Sequence, residues 1–232
     1  MAYSLYLAGF DVKDVTMTDL ISGRETLEDV NMIVYCGGFS NSDVLGSAKG
    51  WAGGFLFNEK AKEALDKFYA REATLSLGIC NGCQLMAELG LVYPEHEKKH
   101  KMVHNDSHKF ESNFVSLEIP KNNSVMFGSL SGTKLGVWVA HGEGKFEFPY
   151  EEKEYNIIAK YNYDGYPDNP NGSPWSVAGV CSKDGRHLAM MPHPERAIFP
   201  WQCGYYPADR KENDEVTPWI EAFVNARKWI EN

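Results

Sequence analysis

In the first half of the chain, short apolar runs that end in glycine alternate with amphipathic segments. MIVYCGG (32–38) and TLSLGICNG (74–82) read as buried strands running into tight loops. Between them, EKAKEALDKFYAR (59–71) has helical spacing, with Ala61, Leu65 and Phe68 on one side. NGCQLMAELG (81–90) predicts a second helix, stopped by Gly90. Strand, helix, strand, helix implies a parallel sheet with right-handed crossovers. The second half is richer in strands. VSLEI (115–119), KLGVWVA (134–140), YNIIAKYN (155–162), WSVAGVCS (175–182) and HLAMMP (187–192) are strand-like. Turn signals such as DNPNGSP (168–174) and KDGR (183–186) separate them. The final TPWIEAFVNARKWIEN predicts an amphipathic helix with Pro218 in its first turn and Ile220, Phe223, Val224 and Trp229 docking it. The front end reads as a helix, AYSLYLAG, followed by a strand, DVKDVTM (11–17). A doubly wound sheet usually begins with a strand, so either this architecture starts unusually or a leading strand is absent ahead of Met1.

Composition narrows the class. Of 232 residues, 43% are apolar and 24% charged, which suits a globular chain and excludes a fibrous or low-complexity one. Without repeats or a Ser/Gly linker, residues 1–232 read as a single domain. Acids outnumber bases 32 to 23, for a net charge of −9, which argues against nucleic acid as a partner. No apolar run approaches the ~20 residues of a membrane span. The opening stretch has no basic region of the kind that starts a signal peptide. Cys36, Cys80, Cys83, Cys181 and Cys203 are odd in number and widely spread, so a reduced, cytoplasmic setting is expected rather than a disulfide framework.

Gly78-Ile79-Cys80-Asn81-Gly82 follows an apolar strand and opens a helix, the G-x-nucleophile-x-G elbow with cysteine at its centre. Small residues two positions either side let strand and helix approach. A helix N-terminus and a nearby imidazole should raise the thiolate fraction of Cys80. The bland alternative is a buried cysteine in a glycine-rich turn. A base is offered by Met191-Pro192-His193-Pro194-Glu195-Arg196: the prolines keep His193 in extended chain, and Glu195, two residues on, can share its side and orient it. Oxyanion donors are expected from Gly37-Gly38-Phe39-Ser40, at the end of the strand MIVYC, and from the N–H of Asn81. Two other readings compete. Cys80 and Cys83 with His104 and His108 loosely match a zinc set, and Cys80-x-x-Cys83 alone matches a redox pair. The elbow context favours a nucleophile, so no metal is assigned.

These residues resemble the class I (triad) glutamine amidotransferases, and within them the glutaminase domain of the phosphoribosylformylglycinamidine synthase (FGAR amidotransferase) family, large single-chain type. The matching stretches are GGFSNSDVLGSAKGWAGGFLFN (37–58), LGICNGCQLMAELGL (77–91), HNDSHKFESNF (104–114), WVAHGEGKF (138–146) and NPNGSPWSVAGVCSKDGRHLAMMPHPER (169–196). The resemblance implies an α/β, flavodoxin-like mixed and mostly parallel sheet with flanking helices, lacking its first strand and forming the C-terminal part of a larger polypeptide. It assigns Cys80 as nucleophile, His193 as acid/base, Glu195 as orienter, and Gly38 and Asn81 as oxyanion donors. By the same analogy Gln84, His141, Gly142 and Glu143 are candidate glutamine-pocket residues. It further implies that ammonia from glutamine passes to a synthetase module, on the same polypeptide or a separate chain, that converts FGAR to FGAM in purine biosynthesis. This chain has no G-x-x-x-x-G-K-[ST] motif, so no cofactor is assigned to it; ATP and magnesium belong to that module. Asn41-Ser42 and Lys145 depart from the family pattern. Alternatives are another cysteine hydrolase on the same elbow and an inactive interaction module.

Overall fold

The computed structural model describes residues 1–38 and 45–232, so the expectations that fall on Phe39, Ser40, Asn41 and Ser42 lie outside the described residues. In chain order the elements are α1 (Ala2–Leu7), α2 (Met17–Ser22), β1 (Met32–Tyr35), α3 (Lys49–Leu56), α4 (Glu59–Tyr69), β2 (Leu75–Ile79), α5 (Asn81–Leu89), β3 (Lys101–Val103), β4 (Glu111–Glu118), β5 (Lys134–His141), β6 (Lys145–Glu147), β7 (Asn156–Tyr161), β8 (Val177–Cys181), β9 (His187–Met190), α6 (Ala208–Lys211) and α7 (Ile220–Glu231). Seven strands form one twisted sheet in the order β1-β2-β9-β8-β7-β4-β5, and β3 pairs with β6 in a small separate ribbon. The α/β class and the mixed sheet agree with expectation. Among the described residues, parallel pairing is confined to β1–β2 and β2–β9; β4–β5, β4–β7, β7–β8 and β8–β9 pair antiparallel, the last pair through the short turn at 182–186.

The parallel strands carry the site. β1 runs into Gly37-Gly38, β2 into Cys80, and β9 into His193, so three loops converge at the C-terminal ends of adjacent strands, the usual place for a ligand in an open α/β sheet. β2 is buried along its whole length, as its unbroken apolar run predicts.

The predicted strand at 11–17 is not formed. Met17 instead begins α2, whose N-cap Thr16 accepts from the N–H of Asp19 in a capping box. A strand needs a hydrogen-bonded neighbour, and residues 11–16 face β1 across clefts of about 440 and 590 Å³. Helices α2 and α3, strands β3 and β6 and the first four residues of β4 carry no expectation from the sequence. At the other end, α7 docks by Ala222, Phe223 and Ala226; of the expected docking residues Phe223 is buried, Ile220 and Trp229 pack half-buried against the core, and Val224 is half-buried. Trp219, just before the helix, is fully buried; its Nε1–H donates to the Gly136 carbonyl at 2.8 Å, which satisfies the indole while its ring fills the core. Among the described residues, no helix is long and apolar enough to cross a membrane.

Candidate active site

The bend at Cys80 exists because two glycines let α5 lie against β1 and β2. A methyl at Gly82 would overlap the Tyr35 carbonyl oxygen and lie 2.6 Å from its carbon; one at Gly78 would lie 2.6 Å from both the Gly82 carbonyl oxygen and Met86 Sδ. Cys80 itself holds φ 53°, ψ −105°, a conformation that costs free energy and is held by its surroundings. Its N–H donates to the Met190 carbonyl at 2.9 Å, and its carbonyl accepts from Gln84 N–H at 3.0 Å.

The sulfur is nearly enclosed and sits 3.5 Å from the Ala140 carbonyl. Burial pushes the Cys80 thiol up to about 11. The Asn81 N–H, the Arg196 charge and the Gly38 N–H pull it down, and Glu195 adds to the rise. Burial thus opposes the thiolate bias expected from the helix terminus. The two expected oxyanion donors, Gly38 and Asn81, both direct their N–H groups at the sulfur, where an oxyanion on an attached carbon would form. Gly38 has φ +110°, which glycine tolerates freely.

His193 lies against the same spot. A Cβ on Gly37 would stand 2.6 Å from His193 Cε1 and 3.2 Å from Cys80 Cβ, so glycine there lets imidazole and thiol close around one point. The His193 main chain is fixed by donation from its N–H to the Trp138 carbonyl at 2.8 Å. Its Nδ1 is 2.7 Å from Glu195 Oε1; His193 is buried and Glu195 half-buried. With the Nδ1 proton donated to that carboxylate, Nε2 carries the free lone pair, and among the described residues this buried atom makes no hydrogen bond.

The remaining expected residues line one cleft of about 780 Å³ with Cys80 and His193. Asn81 Nδ2 donates to Gln84 Oε1 at 2.8 Å, and Gln84 Nε2 donates to the Glu143 carbonyl at 2.7 Å. The His141 ring is buried with neither nitrogen partnered among the described residues, and burial lowers it to about 4; a methyl on Gly144 would overlap this ring. His141 thus contributes main chain to the cleft and a neutral ring to the interior. Of the decoys, Cys83 is completely buried on α5, and His104 stands at the cleft rim.

A family model described as a CobB/CobQ-like glutamine amidotransferase domain matches residues 1–230. The chain belongs to that family. Among curated relatives, the domain is 45% identical to a probable phosphoribosylformylglycinamidine synthase, chloroplastic/mitochondrial, of Arabidopsis thaliana, over 100% of this chain and 18% of that protein. It is 43% identical to the phosphoribosylformylglycinamidine synthase of Homo sapiens, over 99% of this chain and 19% of that one. The domain therefore spans less than a fifth of the length of these relatives. Among solved structures, it is similar to a chain of PurLQS from Thermotoga maritima, with TM-score 0.73, 27% identity, and coverage of 99% of this chain and 89% of that one. The glutaminase domain of Trypanosoma brucei CTPS shares the fold at TM-score 0.53 and 16% identity, covering 98% of this chain and 83% of that one.

Several residues of this amidotransferase domain escaped the sequence reading. Asn105 is fully buried and braces the cleft wall: its N–H donates to the Gly142 carbonyl at 2.9 Å, its Nδ2 to the His141 carbonyl at 2.8 Å, and its Oδ1 accepts from Gly144 N–H at 2.9 Å. Asp106 N–H donates to the Asn171 carbonyl, and Lys145 pairs with Asp106 at 2.7 Å, so NPNGSP and the departing Lys145 support this brace. Ser47, Phe110 and Arg196 were also missed. No local pattern marks any of the four, although all lie within the stretches that carry the family resemblance.

Proposed function

We propose that the domain hydrolyses glutamine through a thioester on Cys80 and delivers ammonia to a synthetase portion that makes FGAM from FGAR in purine biosynthesis. The observation that carries this reading is the pair of Gly38 and Asn81 N–H groups directed at the Cys80 sulfur, with an imidazole backed by Glu195 lining the same cleft. The neutral Cys80 thiol gives its proton to His193 Nε2 as sulfur attacks the side-chain carbonyl carbon of glutamine. The electron pair moves to oxygen, which the two N–H groups stabilise. His193 returns the proton to the nitrogen, ammonia leaves, and a γ-glutamyl thioester remains. Water, losing a proton to His193, then attacks the thioester; glutamate departs and the thiol is restored. Glu195 holds the Nδ1 proton throughout.

Whole-chain similarity to two phosphoribosylformylglycinamidine synthases supports the acceptor assignment. ATP and magnesium are assigned to the remaining part of such a polypeptide, in the cytoplasm. The test is mass mapping of the adduct of a glutamine-derived electrophile, with and without the synthetase portion, alongside glutamate release. The Cys80→Ala variant is expected to lose adduct and turnover while keeping its fold; retained turnover refutes the assignment.

A further inference from the structure

The wall of the cleft opposite α5 is a turn that no sheet holds. The β4–β5 ladder ends at His141, opposite Glu111, and the β3–β6 ladder begins at Lys145, opposite Val103. Gly142, Glu143 and Gly144 lie between the two, and Gly142 and Glu143 line the cleft with Cys80 and His193. Asn105, two residues past β3, supplies the bonds that a ladder would. Its N–H donates to the Gly142 carbonyl at 2.9 Å, its Nδ2 to the His141 carbonyl at 2.8 Å, and its Oδ1 accepts from Gly144 N–H at 2.9 Å. The second Nδ2 proton goes to the Lys109 carbonyl at 3.0 Å. The residue is fully buried, and its carboxamide uses both protons and its oxygen. A carboxylate of the same shape would set oxygen against two carbonyls, and a hydrocarbon would leave them unpaired. The middle of the turn is tied at Glu143, to Gln84 through its carbonyl and to Ser47 through its carboxylate.

The reacting groups are anchored separately. Gly38, Cys80 and His193 follow β1, β2 and β9, and Ala140, whose carbonyl faces the sulfur, sits inside the β4–β5 ladder opposite Ser112. Asn105 does not line the cleft, and among the described residues its hydrogen bonds reach none of these four. We propose that Asn105 is a positioning residue: by fixing both flanks of the 142–144 turn it sets the affinity of the cleft for glutamine, while the chemical step stays with the strand ends. This rests on the glutaminase reading above and names the residue that holds its substrate wall in place.

The test is steady-state glutamine hydrolysis by the full polypeptide, synthetase portion included, for Asn105→Ala and Asn105→Ser, with Cys80→Ala as control. Both Asn105 variants are expected to raise KM by about tenfold or more while kcat falls by no more than about threefold, the split produced when binding common to ground and transition states is lost. Alkylation of Cys80 separates this from general loosening. Iodoacetamide is too small to need the wall and should react at the parent rate, whereas a chloroketone analogue of glutamine should need about tenfold more reagent to reach half its maximal rate. A KM within about threefold of the parent overturns the proposal, and so does a loss carried mainly by kcat or a faster reaction with iodoacetamide. If Asn105→Ala does not fold, Asn105→Ser decides by the same split. Failure of both to fold also overturns the proposal, because Asn105 would then hold the domain rather than one wall. Turnover surviving in Cys80→Ala would instead sink the glutaminase reading, an outcome separate from these.

Discussion

Replacing Gly82 with alanine pits local preference against tertiary packing. Within α5 alone the change should help, because alanine is favoured over glycine in a helix interior by about 1 kcal/mol. The structure reverses the sign. The new methyl would overlap the Tyr35 carbonyl oxygen, 2.6 Å from its carbon and 2.7 Å from Tyr35 Cβ, where carbon atoms prefer about 3.5–4.0 Å. All three atoms belong to Tyr35 in β1, while the methyl rides on α5, so relief requires the two elements to separate by roughly 1 Å, at the ~1–3 kcal/mol typical of overpacking. Gly38 follows Tyr35 by three residues, so the same shift moves an oxyanion donor, and a displacement of about 1 Å in a catalytic group costs ~100-fold in rate. Denaturant unfolding and glutamine hydrolysis by Gly82→Ala should therefore fall together. Gly132→Ala is the control: Gly132 has φ +83° with nothing within 4 Å of an added Cβ, so it should lose a little stability and no activity. A Gly82→Ala variant as stable as the parent and within about threefold of its kcat would refute the close-approach reasoning.

Two further outcomes are expected. Glu195→Ala removes the partner of His193 Nδ1 and should lower kcat by on the order of 10²–10⁴ with KM little changed, checked by steady-state hydrolysis; an unchanged kcat would mean that the imidazole is oriented by other contacts. His100, His141 and His187 are each lowered to about 4 by burial first of all. The unfolded rings take up protons below their ordinary value of 6.5 while the buried ones do not. The stability they contribute is thus fully present above pH 6.5 and is lost as pH falls towards 4, by at most roughly 3 kcal/mol per ring. Unfolding midpoints that stay flat between pH 7 and 4.5 would contradict this.

Whatever depends on neighbours along the chain is readable from residue order. The unbroken apolar run of β2, the helical stripe of Ala61, Leu65 and Phe68, the glycine-flanked Cys80 and the proline-flanked His193 with Glu195 two residues on all declare themselves locally, because strand, helix and turn preferences act over a few residues. Segments whose state depends on a distant partner do not. Residues 11–16 have strand composition but stay outside the sheet for want of a paired edge, and Asn105 and Ser47 look like loop residues until the fold brings them to the 141–144 wall. The Cys80 thiol makes the same point in electrostatics. A helix terminus argues for a thiolate, but the enclosure that raises the thiol comes from β5, the turn after β1 and the loop after β9, elements far apart in the chain.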